Sequence, residues 1–213
     1  WGGQAILNKL VSYNTYGSDF KFNYGAAAIL SNSLAVRSPY ASNGGGSKCL
    51  EVKSYEKKEE FDFSKNRTWV RAQNITFLNS SEDLESDIKL NLVQEAVYIG
   101  ENALLDMNKS VISGFNPAVI LDEKITVNQD NLEKINFNAM LFNNCNGNIF
   151  VEYNSNNEDL ENWYGNSAFL NVYSKSDDSE TFIDSKNKRR PDFRLRINKI
   201  IASNEVDPDL RMD

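Results

Sequence analysis

The chain of 213 residues contains no histidine. A serine or cysteine nucleophile that depends on a histidine base is therefore excluded, and so is any metal site with histidine ligands. Catalysis would have to use carboxylates, Lys, Arg or Tyr, and the sequence shows no catalytic constellation of these residues. We therefore predict that the protein is not an enzyme and uses no cofactor.

Positive charge and long apolar runs are also scarce. The chain has 23 Lys and Arg against 30 Asp and Glu, which gives a net charge of −7. Nucleic-acid binding needs a concentrated basic surface, so we expect no nucleic-acid partner. The basic run of residues 186–190 is interpreted as a solvated loop. No apolar stretch approaches the roughly 18 residues that cross a bilayer, so we predict no transmembrane segment.

Cysteine is rare, since Cys49 and Cys145 are the only two in the sequence. Two thiols are too few for a disulfide scaffold or for a zinc site with four thiolates. We interpret them as buried thiols that act as small apolar side chains, with a single disulfide as the alternative in an oxidising compartment.

Tight hairpin turns are few in a chain that is otherwise rich in strand-like sequence. Asn146-Gly147 is the one tight two-residue candidate, because Asn43-Gly44 opens a glycine-rich loop, residues 42–48. This scarcity disfavours a meander of hairpins. The predicted strands are residues 5–13, 26–36, 50–55, 68–78, 96–99, 104–107, 111–113, 118–121, 140–145, 148–153, 169–173 and 193–202.

Residues 97–122 show the densest strand pattern. Four short apolar runs are separated by breaks that contain Gly or Asn, as in a solenoid whose strands turn a corner and stack on the preceding coil. A continuous helix is the competing interpretation, but Gly100, Gly114 and Pro117 interrupt it. We predict an all-β right-handed parallel β-helix, with a β-sandwich or jelly roll as the alternative.

Asparagine occurs 29 times, often inside strand-like sequence that disfavours it. Stacked parallel coils place equivalent side chains about 4.8 Å apart, so that Asn side chains at a turn can form a hydrogen-bonded ladder. The alternative is biased codon usage with Asn in ordinary loops. Short helical excursions are predicted at residues 80–97, 130–136 and 158–163.

Several blocks, taken in order, carry a resemblance to a known family. They are WGG, LVSYNTYGSDF, ILSNSLAVRSPYASNGGGSK, RAQNITFLN and AVYIGENALLDMNKSVISGFNPAVILD. The chain resembles the C-terminal half of the right-handed parallel β-helix lipoproteins on the surface of Bacteroidota. The resemblance covers residues 1–122 well, is looser over 140–172 and is faint after residue 186.

The resemblance implies an architecture and a location. We expect residues 1–213 to form a single β-helix domain that lacks its N-terminal coils, with a looser capping region at about residues 174–213. We also expect a lipid anchor on the outer membrane through a segment outside this chain. In the family, a run of aspartates that could hold a cation occupies the position of residues 16–22; here Asp19 alone remains, as a weak metal candidate.

Three functions follow as hypotheses. The first is a non-catalytic accessory or ligand-binding subunit for nutrient uptake, with a TonB-dependent outer-membrane transporter and its lid lipoprotein as partners and a glycan or peptide as ligand. Aromatic residues near chain breaks are candidates to stack on that ligand, and the alternative is that most of them are core or loop anchors. They are Tyr16, Tyr40, Tyr153, Trp163 and Tyr164.

The other two hypotheses belong to different classes. A structural or assembly element without a small-molecule ligand would show an unusually large exposed apolar patch. A polysaccharide lyase or hydrolase would need clustered acids, for which Glu101, Asp106 and Asp122 are the candidates.

Overall fold

The computed structural model describes residues 2–39, 48–55, 66–153 and 157–196. Across these ranges short strands form two large parallel sheets and one small antiparallel pair. The strands are β1 (Gln4–Asn8), β2 (Val11–Tyr13), β3 (Phe20–Phe22), β4 (Ala27–Arg37), β5 (Leu50–Val52), β6 (Trp69–Asn79), β7 (Val97–Ile99), β8 (Leu104–Asn108), β9 (Val111–Ser113), β10 (Val119–Leu121), β11 (Ile135–Asn138), β12 (Leu141–Asn143), β13 (Ile149–Val151), β14 (Val172–Ser174), β15 (Phe182–Asp184) and β16 (Asp192–Leu195). The helices are α1 (Leu84–Lys89), α2 (Gln129–Leu132), α3 (Glu158–Tyr164) and α4 (Asp178–Thr181), and a 3-10 turn covers Ser167–Phe169.

The described chain repeats one three-strand order, and we call each round a passage. The first strands of successive passages are β1, the first half of β4, the first half of β6, β8 and β11, each paired in parallel with the next. The second strands continue the same sheet, and they are β2, the second halves of β4 and β6, β9, β12 and β14. The third strands β3, β5, β7, β10 and β13 form the other large sheet.

The pairing confirms an all-β fold with parallel strands. It contradicts the sandwich and jelly-roll alternative, because those folds pair their strands antiparallel. Antiparallel pairing in the described residues is confined to β15 and β16.

Alternating burial fixes the register of these strands. In β6, Val70 and Ala72 are fully buried, whereas the residue before Val70, Trp69, is partly exposed. On the second strands, Phe77 and Phe142 flank Ile112 in register, and all three are essentially inaccessible. Each such side chain contributes about 1.5–3 kcal/mol on burial. A slip of one residue would turn this whole set outward, so the register is strongly determined.

Asparagine ladders occupy corners between strands, as the sequence predicted. Asn32 and Asn74 interrupt β4 and β6 at equivalent points, with left-handed φ angles of 49° and 55°. Asn74 Nδ2 donates to Asn32 Oδ1 at 3.1 Å, and Asn32 Nδ2 donates to Asn8 Oδ1 at 3.0 Å. Asn tolerates the left-handed conformation better than other residues with a Cβ, so this residue suits both the corner and the ladder.

The predicted helix of residues 158–163 is confirmed as α3, whereas the other two helices are shorter than predicted. Residues 80–97 contain α1 alone, and Val97 already belongs to β7. The predicted helix of residues 130–136 is wrong beyond Leu132, because β11 begins at Ile135. In β11 the side chains of Ile135 and Phe137 are buried, and the strand pairs with β8. The prediction also missed β3, whose three residues are too short to give a clear pattern.

The C-terminal part of the described chain packs on the outside of the second strands. Phe182 of β15 is buried against Val36, Leu78 and Val111, with Leu195 of β16 beside them. The outer face of the second strands is thus largely covered. No helix in the described ranges is long and apolar enough to cross a membrane.

Candidate functional site

The outer face of the first strands forms one continuous surface, which we call the open face. It belongs to five adjacent parallel strands, and its side chains alternate with the buried ones. None of its side chains is fully buried. They form three columns across the strands: Gln4, Ala27, Trp69 and Leu104; Ile6, Ile29, Arg71, Asp106 and Asn136; Asn8, Ser31, Gln73, Asn108 and Asn138.

The third column, which we call the amide column, is polar at every strand. Asn8 accepts a hydrogen bond from the Ser31 hydroxyl at 3.2 Å. The side chains of Gln73, Asn108 and Asn138 make no hydrogen bond within the described part of the chain. Amide groups both donate and accept, so this column offers repeated partners for ligand hydroxyl groups.

The centre of the open face combines an aromatic ring with an ion pair. The Arg71 guanidinium lies over the Trp69 indole, 5.4 Å from the ring centroid. Arg71 Nε also donates to Asp106 Oδ2 at 3.2 Å across neighbouring strands. The two charges neutralise each other, and the pair holds the guanidinium against the ring.

A second polar cluster lies on the third strands. The Tyr98 hydroxyl donates to Asp122 Oδ2 at 2.8 Å and lies 3.3 Å from Glu152 Oε2. Lys53 Nζ lies 5.1 Å from the Tyr98 ring centroid, and its stem crosses Gly100, where a Cβ would come within 3.1 Å. Burial, followed by the hydrogen bond to Asp122, raises the pKa of Tyr98, so this hydroxyl stays protonated and acts as a fixed donor.

The three acids considered for catalysis lie on different sheets or turns and do not form one cluster. Asp106 is in β8 of the first sheet and is engaged by Arg71. Asp122 follows β10 of the other sheet and contacts Tyr98. Glu101 follows Gly100 beyond β7. A lyase or hydrolase site made from these three acids therefore has no support in their positions.

Asp19 lies in a buried ion pair. Its carboxylate is 2.6 Å from Arg37 Nη1, and the two side chains are 0% and 3% exposed. Hydroxyl groups of Ser12 and Thr15 donate to the same carboxylate. Arg37 thus supplies the positive charge beside Asp19, the residue that the family resemblance left as a weak metal candidate. No cluster of three or more potential metal-ligating residues occurs in the residues that the structure describes.

The aromatic candidates are scattered. Tyr16 and Tyr153 are 74% and 89% exposed, but they lie in the first and fifth passages and away from the open face. Trp163 is half-buried against the core. Tyr164 is 1% exposed and donates to the Ile135 carbonyl at 2.8 Å, so it is a core residue and was wrongly assigned to a ligand surface. Tyr40 lies outside the described residues.

The sequence analysis missed Trp69 and the amide column. Their signal becomes visible once the segments QAILN, AAILS, WVRAQ, LLDMN and INFN are aligned by strand register. In this alignment the last residue of each of the five segments is Asn, Ser or Gln. The alignment requires the passage boundaries, which vary because insertions of different length separate the strands.

Both cysteines are free thiols. Cys49 is fully buried, and Cys145 is partly buried. Burial raises the pKa of both thiols, that of Cys145 to about 12, so neither is a reactive thiolate at neutral pH.

No protein-family model, curated protein or solved structure matches this chain.

Proposed function

We propose that the chain belongs to a non-catalytic cell-surface protein that binds glycans. In this proposal it is an accessory or ligand-binding subunit of nutrient uptake, anchored to the outer membrane by lipid through a segment outside this chain. Its partners are a TonB-dependent transporter and its lid lipoprotein. The parallel sheets close into a right-handed parallel β-helix, which presents the open face to the ligand.

One observation carries the glycan proposal. One parallel sheet places the Trp69 ring, the Arg71–Asp106 pair and amide groups without a partner in the described chain in three successive columns. Sugar rings have apolar faces that stack on aromatic rings and hydroxyl edges that exchange hydrogen bonds with amides and carboxylates. The open face offers both kinds of contact on one surface.

The test is calorimetric titration of the protein with neutral oligosaccharides of glucose, xylose, mannose and galactose. For an oligosaccharide that binds, Trp69→Ala is expected to weaken binding about tenfold, since an aromatic contact is worth up to about 1.5 kcal/mol. Tyr153→Asn is the matched control, because it removes an exposed aromatic residue elsewhere and Asn accepts the left-handed φ of 57°. Binding by none of these sugars, or equal losses in both variants, would contradict the proposal.

A further inference from the structure

We infer that the open face binds a linear glycan that runs across the strands, with one sugar unit over each strand. This inference rests on the proposed glycan-binding function and adds the direction, length and charge class of the ligand. It follows from the spacing of the strands, the repetition of the columns and the charges at the centre of the face.

The spacing between neighbouring strands indicates the direction in which the glycan runs. Neighbouring strands of a sheet lie about 4.8 Å apart, which is close to the length of one pyranose unit in an extended glycan. Each strand step therefore presents the next sugar with an equivalent group from the amide column, from Asn8 at one end to Asn138 at the other. A continuous face of this kind fits an extended, β-linked chain, whereas a coiled α-linked chain would leave the sheet after a short distance.

The dimensions of the face disfavour a ligand that runs along the strands. Along a strand, the open face offers three outward positions, for example Trp69, Arg71 and Gln73, before the corner at Asn74. Across the strands it offers five successive rows. A ligand that runs across the strands thus gains contacts over about 19 Å, four strand spacings, within the described residues alone.

The charges favour a neutral ligand at the centre. Arg71 and Asp106 pair with each other at 3.2 Å, so the middle of the face presents no net charge to a sugar above it. The paired guanidinium and carboxylate still have hydrogen-bonding capacity for hydroxyl groups. Exposed Lys9 and Lys109 lie at the corner beyond the amide column, outside the three columns.

The experiment measures affinity against chain length for a β-1,4-linked neutral oligosaccharide series of two to eight units. Binding across the strands predicts that affinity rises up to about five units, one for each strand row, and then levels off. Asn8→Ala and Asn138→Ala, at opposite ends of the amide column, should each weaken binding of the five-unit ligand severalfold but leave a two-unit ligand at the central strands unaffected. Asn162→Ala, on the exposed surface of α3, is the matched control and should change neither.

The outcomes separate the two proposals. Absence of binding throughout the series, together with the other neutral sugars, overturns the glycan-binding function itself. Binding that levels off at about three units and ignores Asn138→Ala overturns the direction but keeps the function. Tighter, salt-sensitive binding of an acidic glycan overturns the neutral class and implicates Lys9 and Lys109 at the corner.

Discussion

Replacement of Arg37 by Met tests the buried ion pair between Arg37 and Asp19. In the variant, the Asp19 carboxylate remains inaccessible to water and keeps the hydroxyl donors of Ser12 and Thr15, but it loses its neutralising charge. Removing one partner of a buried pair typically costs about 3–5 kcal/mol, because the remaining charge is uncompensated. For a chain of this size, that loss lowers the unfolding midpoint by roughly 10 °C.

Thermal unfolding followed by circular dichroism measures this cost, with Asp19→Asn and the double variant as partners in a cycle. The double variant should be less destabilised than the two single changes added together, because it leaves no buried carboxylate opposite the missing guanidinium. A loss below about 1 kcal/mol in Arg37→Met would refute the reasoning, since that is the range of solvent-exposed pairs.

Two further predictions concern the corner ladder and the C-terminal hairpin. Asn74→Ala should lower the free energy of unfolding by about 1–2 kcal/mol in a urea titration, because it removes the hydrogen bond to Asn32 and puts a residue less tolerant of φ 55° at the corner. Asn74→Gly should cost less, and an equal cost would contradict the conformational part of this argument. Asp178 accepts from Ser113 at 2.7 Å, and burial raises its pKa, so its favourable contribution is fully present below the ordinary carboxyl pKa and is lost as pH rises through the raised value. Asp178→Asn should therefore raise the unfolding midpoint relative to wild type more at about pH 7 than at about pH 4, and a constant difference across this range would count against it.

Much of the strand content was predictable, because apolar alternation and β-branched residues mark strands locally. Residues 26–36 and 68–78 were predicted as strands and became β4 and β6 almost entirely. The predicted strand of residues 5–13 is instead two strands, since Lys9 takes a left-handed φ at the corner. That break depends on stacking against Asn32, which no local pattern reveals.

The candidate site was less predictable than the strands. Arg71 and Asp106 are 35 positions apart, and their ion pair arises from the register that places β6 beside β8. Tyr164 shows the opposite error: its position near a chain break predicted a surface role, but α3 turns it into the core beside Phe137. Exposure of an aromatic residue is a property of the packed structure, because it depends on which neighbours cover the ring.

The sequence by itself determined the absence of histidine chemistry, the acidic balance, the β-rich composition and the abundance of Asn that suits left-handed corners. These follow from residue types and short-range conformational preferences, which act within a few positions. Tertiary structure decided that Arg37 neutralises Asp19, that the C-terminal hairpin covers the second strands, and that five separate segments form one open face. The open face depends on parallel pairing between segments 23 or more residues apart, whose register is set by burial of the whole core. The ion pair and the hairpin depend on side-chain contacts between elements that are not adjacent in the chain.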